Sequence, residues 1–278
     1  MPPPPCKSDM TPPPFIVFTD LDGTLLDHHD YSWSAALPAL ARLRALGVPV
    51  VLSSSKTAAE IAPIRAEMGL HLTPAIVENG AGVLEPGADP ADLTGPYGRL
   101  RDTIDSLPAE LRETFRGFGD MSDAEVAEIT GLTAERATLA RRRAFSEPGL
   151  STAPPETLQK FVAALAENGV TARRGGRFLT LSFGGTKADR METLRRRFDA
   201  PFSVALGDAP NDVEMLNAAR YGFLIANPSA PPLPALAAED DGRLRRSEKA
   251  GPRGWNECIL QLISDLQDTQ QAKPHQAD

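Results

Sequence analysis

The chain has 278 residues, 41% hydrophobic and 24% charged, with a formal net charge of -8, enough apolar content for a catalytic core and one smaller module. That acidic balance argues against a nucleic-acid surface or a polybasic membrane patch and favours a small ligand. Cys6 and Cys258 make no disulfide framework and suit a reducing cytoplasm, and no apolar run reaches the roughly 18 residues of a membrane span.

Met1 to Pro14 carries prolines at positions 2 to 5 and 12 to 14, which predicts a disordered leader. Phe15 to Phe18 is a short branched and aromatic run, expected to be a buried parallel strand, and it releases Asp20 and Asp22 into a Gly-Thr turn. A helix over about Ser34 to Leu46, the strand Val48 to Leu52, a helix from Thr57 to near Gly69 and the strand Ala75 to Val77 follow. This alternation specifies an α/β fold with a parallel sheet. Thr57 with Glu60 is a capping-box pattern, and Gly47 ends the preceding helix.

Residues 85–184 differ in character and predict an inserted α+β cap. Ser122 with Glu125 forms another capping box, Thr133 starts a helix, and Pro154-Pro155 open one that stops at Asn168-Gly169. Val170 to Arg174 and Arg177 to Phe183, joined by Gly175-Gly176, predict a hairpin. From Lys187 the α/β alternation returns: helix Met191 to Phe198, strand Phe202 to Leu206, helix Asp212 to Ala219, strand Tyr221 to Ala226. Ala230 to Ala238 is expected to be a surface connection, and residues 268–278 a loose tail. The catalytic core is thus 15–84 with 185–267.

Catalytic groups in such sheets sit at the C-terminal ends of strands. Asp20 is placed there to attack phosphorus and carry an aspartyl-phosphate, and Asp22 to serve as general acid and base. Two carboxylates beside a phosphate require a hard cation such as Mg2+. Ser53, Ser54 and Ser55 run into a helix N-terminus, a natural place for phosphate oxygens, so one of them is expected to hold the phosphoryl group. Lys187 offers an ammonium against the same anions. Asp208, Asn211 and Asp212, after the strand ending at Gly207, offer oxygen ligands for a metal; helix capping is the plainer use of the same residues.

These segments, in this order, closely resemble the haloacid dehalogenase superfamily of phosphohydrolases: Asp20-Leu-Asp22-Gly-Thr-Leu and Gly207-Asp208-Ala-Pro-Asn211-Asp212 are the specific motifs. The resemblance implies a Rossmann-like core, Asp20 as nucleophile, Asp22 as acid and base, Ser54 as the phosphate-binding hydroxyl, Lys187 as charge partner, and a Mg2+ site at Asp20, Asp22 and Asp208 with Asp212 in support. It extends, from Phe15 to Ile263, to the mannosyl-3-phosphoglycerate phosphatase branch. That match rests on Ser54-Ser55-Lys56-Thr57, Glu78-Asn79-Gly80, Phe118-Gly-Asp-Met121, Arg143-Ala-Phe-Ser-Glu147-Pro, Gly175-Gly-Arg177-Phe and Gly254-Trp-Asn-Glu257. One departure is Thr186-Lys187-Ala188, where relatives usually carry an acidic residue before the lysine and a glycine after it.

The resemblance implies a phosphorylated glycoside as the small-molecule substrate, mannosyl-3-phosphoglycerate first and a glucosyl or other sugar phosphate next. A phosphomutase and a non-catalytic sugar-phosphate-binding regulator are the rival classes. For substrate contacts, Arg143, Arg174 and Arg177 offer guanidinium forks to a carboxylate and Glu147 an acceptor to sugar hydroxyls. Ser55, Lys56, Glu78, Asn79 and Asn211 complete the expected set. Trp255, Ile259, Leu262, Ile263 and Leu266 recur at helical spacing and are expected to pack the core.

Overall fold

A computed structural model describes residues 12–271. Most of the expected leader and residues 272–278 lie outside the described residues, and the last helix runs to Gln271, four residues past the point where the composition suggested a tail. Eleven strands are present among the described residues: β1 (Ile16–Thr19), β2 (Val50–Ser53), β3 (Ala75–Val77), β4 (Gly82–Leu84), β5 (Phe115–Gly117), β6 (Ser146–Ser151), β7 (Thr171–Gly175), β8 (Phe178–Ser182), β9 (Ser203–Gly207), β10 (Tyr221–Ala226) and β11 (Leu244–Ala250). A seven-stranded sheet has the order β11-β10-β9-β1-β2-β3-β4, and a four-stranded sheet the order β5-β6-β8-β7. In the first, the pairs β1–β9, β9–β10, β10–β11 and β2–β3 are parallel and the β3–β4 edge is antiparallel.

By its contacts the chain divides into two units, one of Met1–Val50, Met191–Ala209 and Met215–Asp278, the other of Val51–Arg190 and Pro210–Glu214. In the first, β1 lies beside β9 with Ile16 opposite Ser203, so both strands end level and release their following loops at one edge. β1 is fully buried, as an apolar run with no polar alternation requires. Helices Leu37–Ala45 and Gly251–Gln271 belong to this unit. Trp255 and Ile259 are completely buried, and the Trp255 indole donates to Thr19 Oγ1 at 3.0 Å, fixing the residue just before Asp20.

In the second unit, Thr57 caps helix Ala58–Glu67 with a capping box to Glu60, and Ser122 does the same for Asp123–Thr130 with Glu125. Thr133 caps Ala134–Ala140, and Pro155 opens the helix ending at Glu167. The antiparallel sheet has its own core, with Leu100, Ile104, Phe115, Phe161, Leu165 and Leu181 buried together. The hairpin closes on the pair Gly175–Phe178, so its two-residue turn is Gly176-Arg177, one residue later than the double glycine suggested. Gly176 takes the positive φ that such a turn needs.

Four strands went unforeseen, the three-residue β4 and β5 and the longer β6 and β11. β6 contains Pro148 and Gly149, which argue against a strand, yet it lies inside the four-stranded sheet and its first four residues are buried. β11 reads Leu-Arg-Arg-Ser-Glu-Lys-Ala without an apolar face; it is a sheet edge, where charge discourages pairing with other chains. No helix of the described residues is long and apolar enough to cross a membrane.

Candidate active site

At the end of β1 the Asp20 amide donates to Leu206 O at 2.9 Å, extending the ladder one residue beyond the strand and fixing where its side chain leaves. Asp20 is buried and Asp22 half-buried. A tight loop follows, in which Gly23 N donates to Leu26 O and Leu26 N to Leu21 O. Gly23 has φ +78°, and a methyl there would sit 2.8 Å from Asp208 Oδ2. Asp208 leaves the neighbouring strand β9. Its Oδ1 accepts from Thr24 Oγ1 at 2.6 Å and its Oδ2 from Asn227 Nδ2 at 2.7 Å. Asn227 was missed from the sequence; the signal was the Asn-Pro turn directly after β10.

The second unit holds the other expected groups. Ser53 and Ser54 are buried and Ser55 is exposed. Ser54 Oγ accepts from Lys56 N at 3.3 Å, and Ser54 is held at both ends, N to Ile76 O and O from Asn79 N. Lys187 opens helix Lys187–Arg197, and its Nζ donates to Asp212 Oδ1 at 2.7 Å with both side chains almost wholly buried. The unusual Thr186 has a use here. Its Oγ1 accepts from Asp189 N at 3.0 Å while its own amide donates to the Asp189 carboxylate at 2.9 Å, which caps the helix carrying Lys187.

The residues 78–80 all have positive φ, at 52°, 58° and 93°. Only glycine fits the third. A methyl on Gly80 would overlap the Thr186 carbonyl and the Lys187 amide, so the turn packs directly on the backbone that carries the lysine. Arg190 strengthens this contact, donating from Nε to Gly80 O at 2.9 Å and from a terminal nitrogen to Ala81 O at 3.2 Å.

Asp20 and Asp208, both in the first unit, are buried, and each presents a ligand oxygen within 4.8 Å of the other. Two carboxylates at that spacing repel one another in a low-dielectric setting, and an all-oxygen anionic set suits a hard divalent cation. The residues therefore fit a Mg2+ ion. Asp22 is not in this group of side chains.

A cavity of about 320 Å3 lies in the second unit. Ser55, Lys56, Asn79, Arg143 and Asn211 give it polar, net cationic lining, and Phe118, Leu132 and Phe178 an apolar wall. Asn211 Nδ2 donates to Asn79 Oδ1 at 3.1 Å. Arg143 is held by Ser146, through Nε to its carbonyl at 3.3 Å and a terminal nitrogen to its hydroxyl at 2.8 Å. Ser55, Lys56, Asn79, Arg143 and Asn211 thus line one cavity. Arg174 and Arg177 are exposed on the hairpin and do not line this cavity; Arg177 stacks over the Phe178 ring.

Two expected contacts need correction. Glu78 has no exposed side chain: its carboxylate accepts from the amides of Ala144, Phe145 and Ser146 and the Ser146 hydroxyl, with Arg143 Nε 3.3 Å away. Glu147 is equally buried, accepting from Tyr97 Oη at 2.6 Å, Arg101 at 2.8 Å and Gly119 N at 2.7 Å. Burial pushes its carboxyl above the ordinary glutamate range, against the opposing pull of Tyr97, Gly119 and Arg101. Both carboxylates are buried and turned to these partners within the protein, and neither lines the cavity. Their sequence context, next to Asn-Gly and Pro-Gly turns, looked like surface and gave no sign of these partners.

Residues 17–90 match the family model for haloacid dehalogenase-like hydrolases. The chain resembles the sucrose-phosphatase of Synechocystis sp. PCC6803, solved with sucrose and phosphate, at TM-score 0.60 and 15% identity over 90% of this chain and 98% of that one. A subclass IIB sugar phosphatase of the same superfamily aligns at TM-score 0.61 and 15% identity, covering 90% and 99%. A haloalkanoate-superfamily phosphatase of Bacteroides thetaiotaomicron aligns at TM-score 0.57 and 17% identity, covering 93% and 98%. With its parallel strands, the aspartates at their ends and the inserted antiparallel sheet, the chain has the fold of the haloacid dehalogenase-like hydrolases.

Proposed function

We propose that this protein is a Mg2+-dependent phosphomonoesterase of the cytoplasm that hydrolyses mannosyl-3-phosphoglycerate to mannosylglycerate and phosphate. The observation that carries the reading is the buried pair Asp20 and Asp208 at the ends of β1 and β9, each offering a ligand oxygen within 4.8 Å of the other. A core of residues 15–84 and 185–267 would supply the chemistry and residues 85–184 the cap. The cavity supports a substrate with a sugar and a second anion, because it joins an apolar wall to Lys56 and Arg143. The solved relatives named for sugar phosphates point the same way.

In this reading an Asp20 oxygen attacks phosphorus in line, and the bond from phosphorus to the glycerate oxygen breaks as Asp22 gives its proton to that oxygen. Water then attacks the phosphorus of the aspartyl-phosphate, Asp22 takes a proton from it, and the bond to Asp20 breaks to free phosphate. Ser54 would hold the phosphoryl oxygens, and Lys187 would offset negative charge on them. Asp20, Asp208 and Asp212, with the Asp22 backbone carbonyl, would hold Mg2+, which when bound supplies charge neutralisation of the phosphoryl group.

Phosphate release from mannosyl-3-phosphoglycerate, glucosyl-3-phosphoglycerate and hexose phosphates, with Mg2+ and with chelator, tests the proposal. Selective Mg2+-dependent release from the mannosyl compound supports it. Release from the others alone keeps the phosphatase and discards its substrate, and no release from any of them defeats both.

A further inference from the structure

We propose that Asn227, together with Thr24, is a positioning residue that holds the Asp208 carboxylate ready for a divalent cation; this rests on the metal reading of the aspartate group. The Asp208 carboxylate is gripped from two loops. Thr24 Oγ1, from the loop after β1, donates to Oδ1 at 2.6 Å, and Asn227 Nδ2, from the turn after β10, donates to Oδ2 at 2.7 Å. Donors on both oxygens fix the plane of a carboxylate that would otherwise turn about its last bond.

The direction of the Asn227 amide is settled by a second bond. Its Oδ1 accepts from Ser229 N at 2.9 Å, the turn in which an asparagine side chain mimics the backbone, so the amino end is the one facing Asp208. The corner is also sterically closed. A methyl at Gly23 would come within 2.8 Å of Asp208 Oδ2 and 3.1 Å of Asn227 Nδ2. This matters because ligand oxygens of Asp20 and Asp208 lie within 4.8 Å of one another. Without a cation the two carboxylates repel, and the cheapest relief is for one to swing away. Two donors on Asp208 oppose that movement, so the ligand stays in place before the ion arrives. Outer partners of this kind typically change metal affinity by roughly ten- to a hundred-fold when removed.

The test is calorimetric titration of Mg2+ into chelator-stripped protein, with melting of the metal-free form measured alongside. Asn227→Ala and Thr24→Val should each bind roughly ten-fold or more weakly. Thr24→Ser, which restores the hydroxyl, should bind like the parent. A role confined to folding would lower the melting temperature of the metal-free protein and leave affinity unchanged. If Asn227→Ala folds and keeps the parental affinity, the inference is overturned. If it does not fold, the Thr24→Val and Thr24→Ser pair decides, and equal affinities in that pair overturn it. A parent that binds no divalent cation overturns the metal reading of the site and this inference with it.

Discussion

Asp20 sits where two demands conflict. Its carboxylate is buried within reach of Asp208, an arrangement that costs stability until a cation or phosphate chemistry makes use of it. Asp20→Asn keeps the shape and removes one charge. It should abolish phosphate release while the metal-free protein melts at or above the parental temperature, and a variant that turns over normally would sink the assignment. Glu147 gives a pH signature. Its folded carboxyl is raised above the ordinary glutamate value, so its contribution to stability is fully present below that value and is lost as pH rises through the raised one. Melting curves of the parent and Glu147→Gln should therefore differ more in the parent's favour near pH 4 than near pH 7; a gap that widens toward pH 7 would contradict the assigned direction. Glu78→Gln leaves Arg143 facing a neutral amide and turns one acceptor into a donor against amides that themselves donate. A loss of about 3 kcal/mol is expected, read by denaturant unfolding.

Among the elements, the 78–80 turn has the sharpest geometry. Gly80→Ala forces a methyl into the Thr186–Lys187 backbone at a positive φ and should destabilise by more than about 1 kcal/mol, with phosphate release falling further than stability does, because Lys187 is displaced. A fully active, parental-melting variant would show that the backbone yields without moving the lysine. What was legible in the sequence was local. The apolar run before Asp20, the Thr57–Glu60 and Ser122–Glu125 boxes and the strand Ala75 to Val77 each announce themselves through neighbours in the chain, and the structure has all of them. What was not legible depends on distant partners. β6 is a strand because β5 and β8 flank it, despite its proline. Glu78 and Glu147 look like loop carboxylates until the amides of residues 144–146 and the side chains of Tyr97 and Arg101 are folded around them. Asn227 acts on a residue nineteen positions earlier, and its Asn-Pro context marks a turn without naming that partner.

At the scale of the molecule, the four-stranded sheet carries its own apolar centre, from Leu100 and Ile104 on one helix to Phe161 and Leu165 on another. Its charged network, Arg101 and Arg112 with Asp120 and Glu147, also closes within residues 97–147. A fragment of residues 85–184 should therefore fold alone and melt cooperatively; a fragment with no thermal transition would show that it depends on the rest of the chain. The turn at residues 78–80 also bears on how this protein can be altered. Changes of substrate are usually sought by randomising everything near a cavity, but Asn79 belongs to a three-residue stretch whose backbone also sets Ser54 and Lys187 and whose Glu78 carboxylate holds the 144–146 amides. Thr130, Leu132 and Thr180 line the same cavity from outside that stretch. Under the proposed function, a library confined to those three positions redraws the substrate's surroundings and leaves the 78–80 stretch untouched.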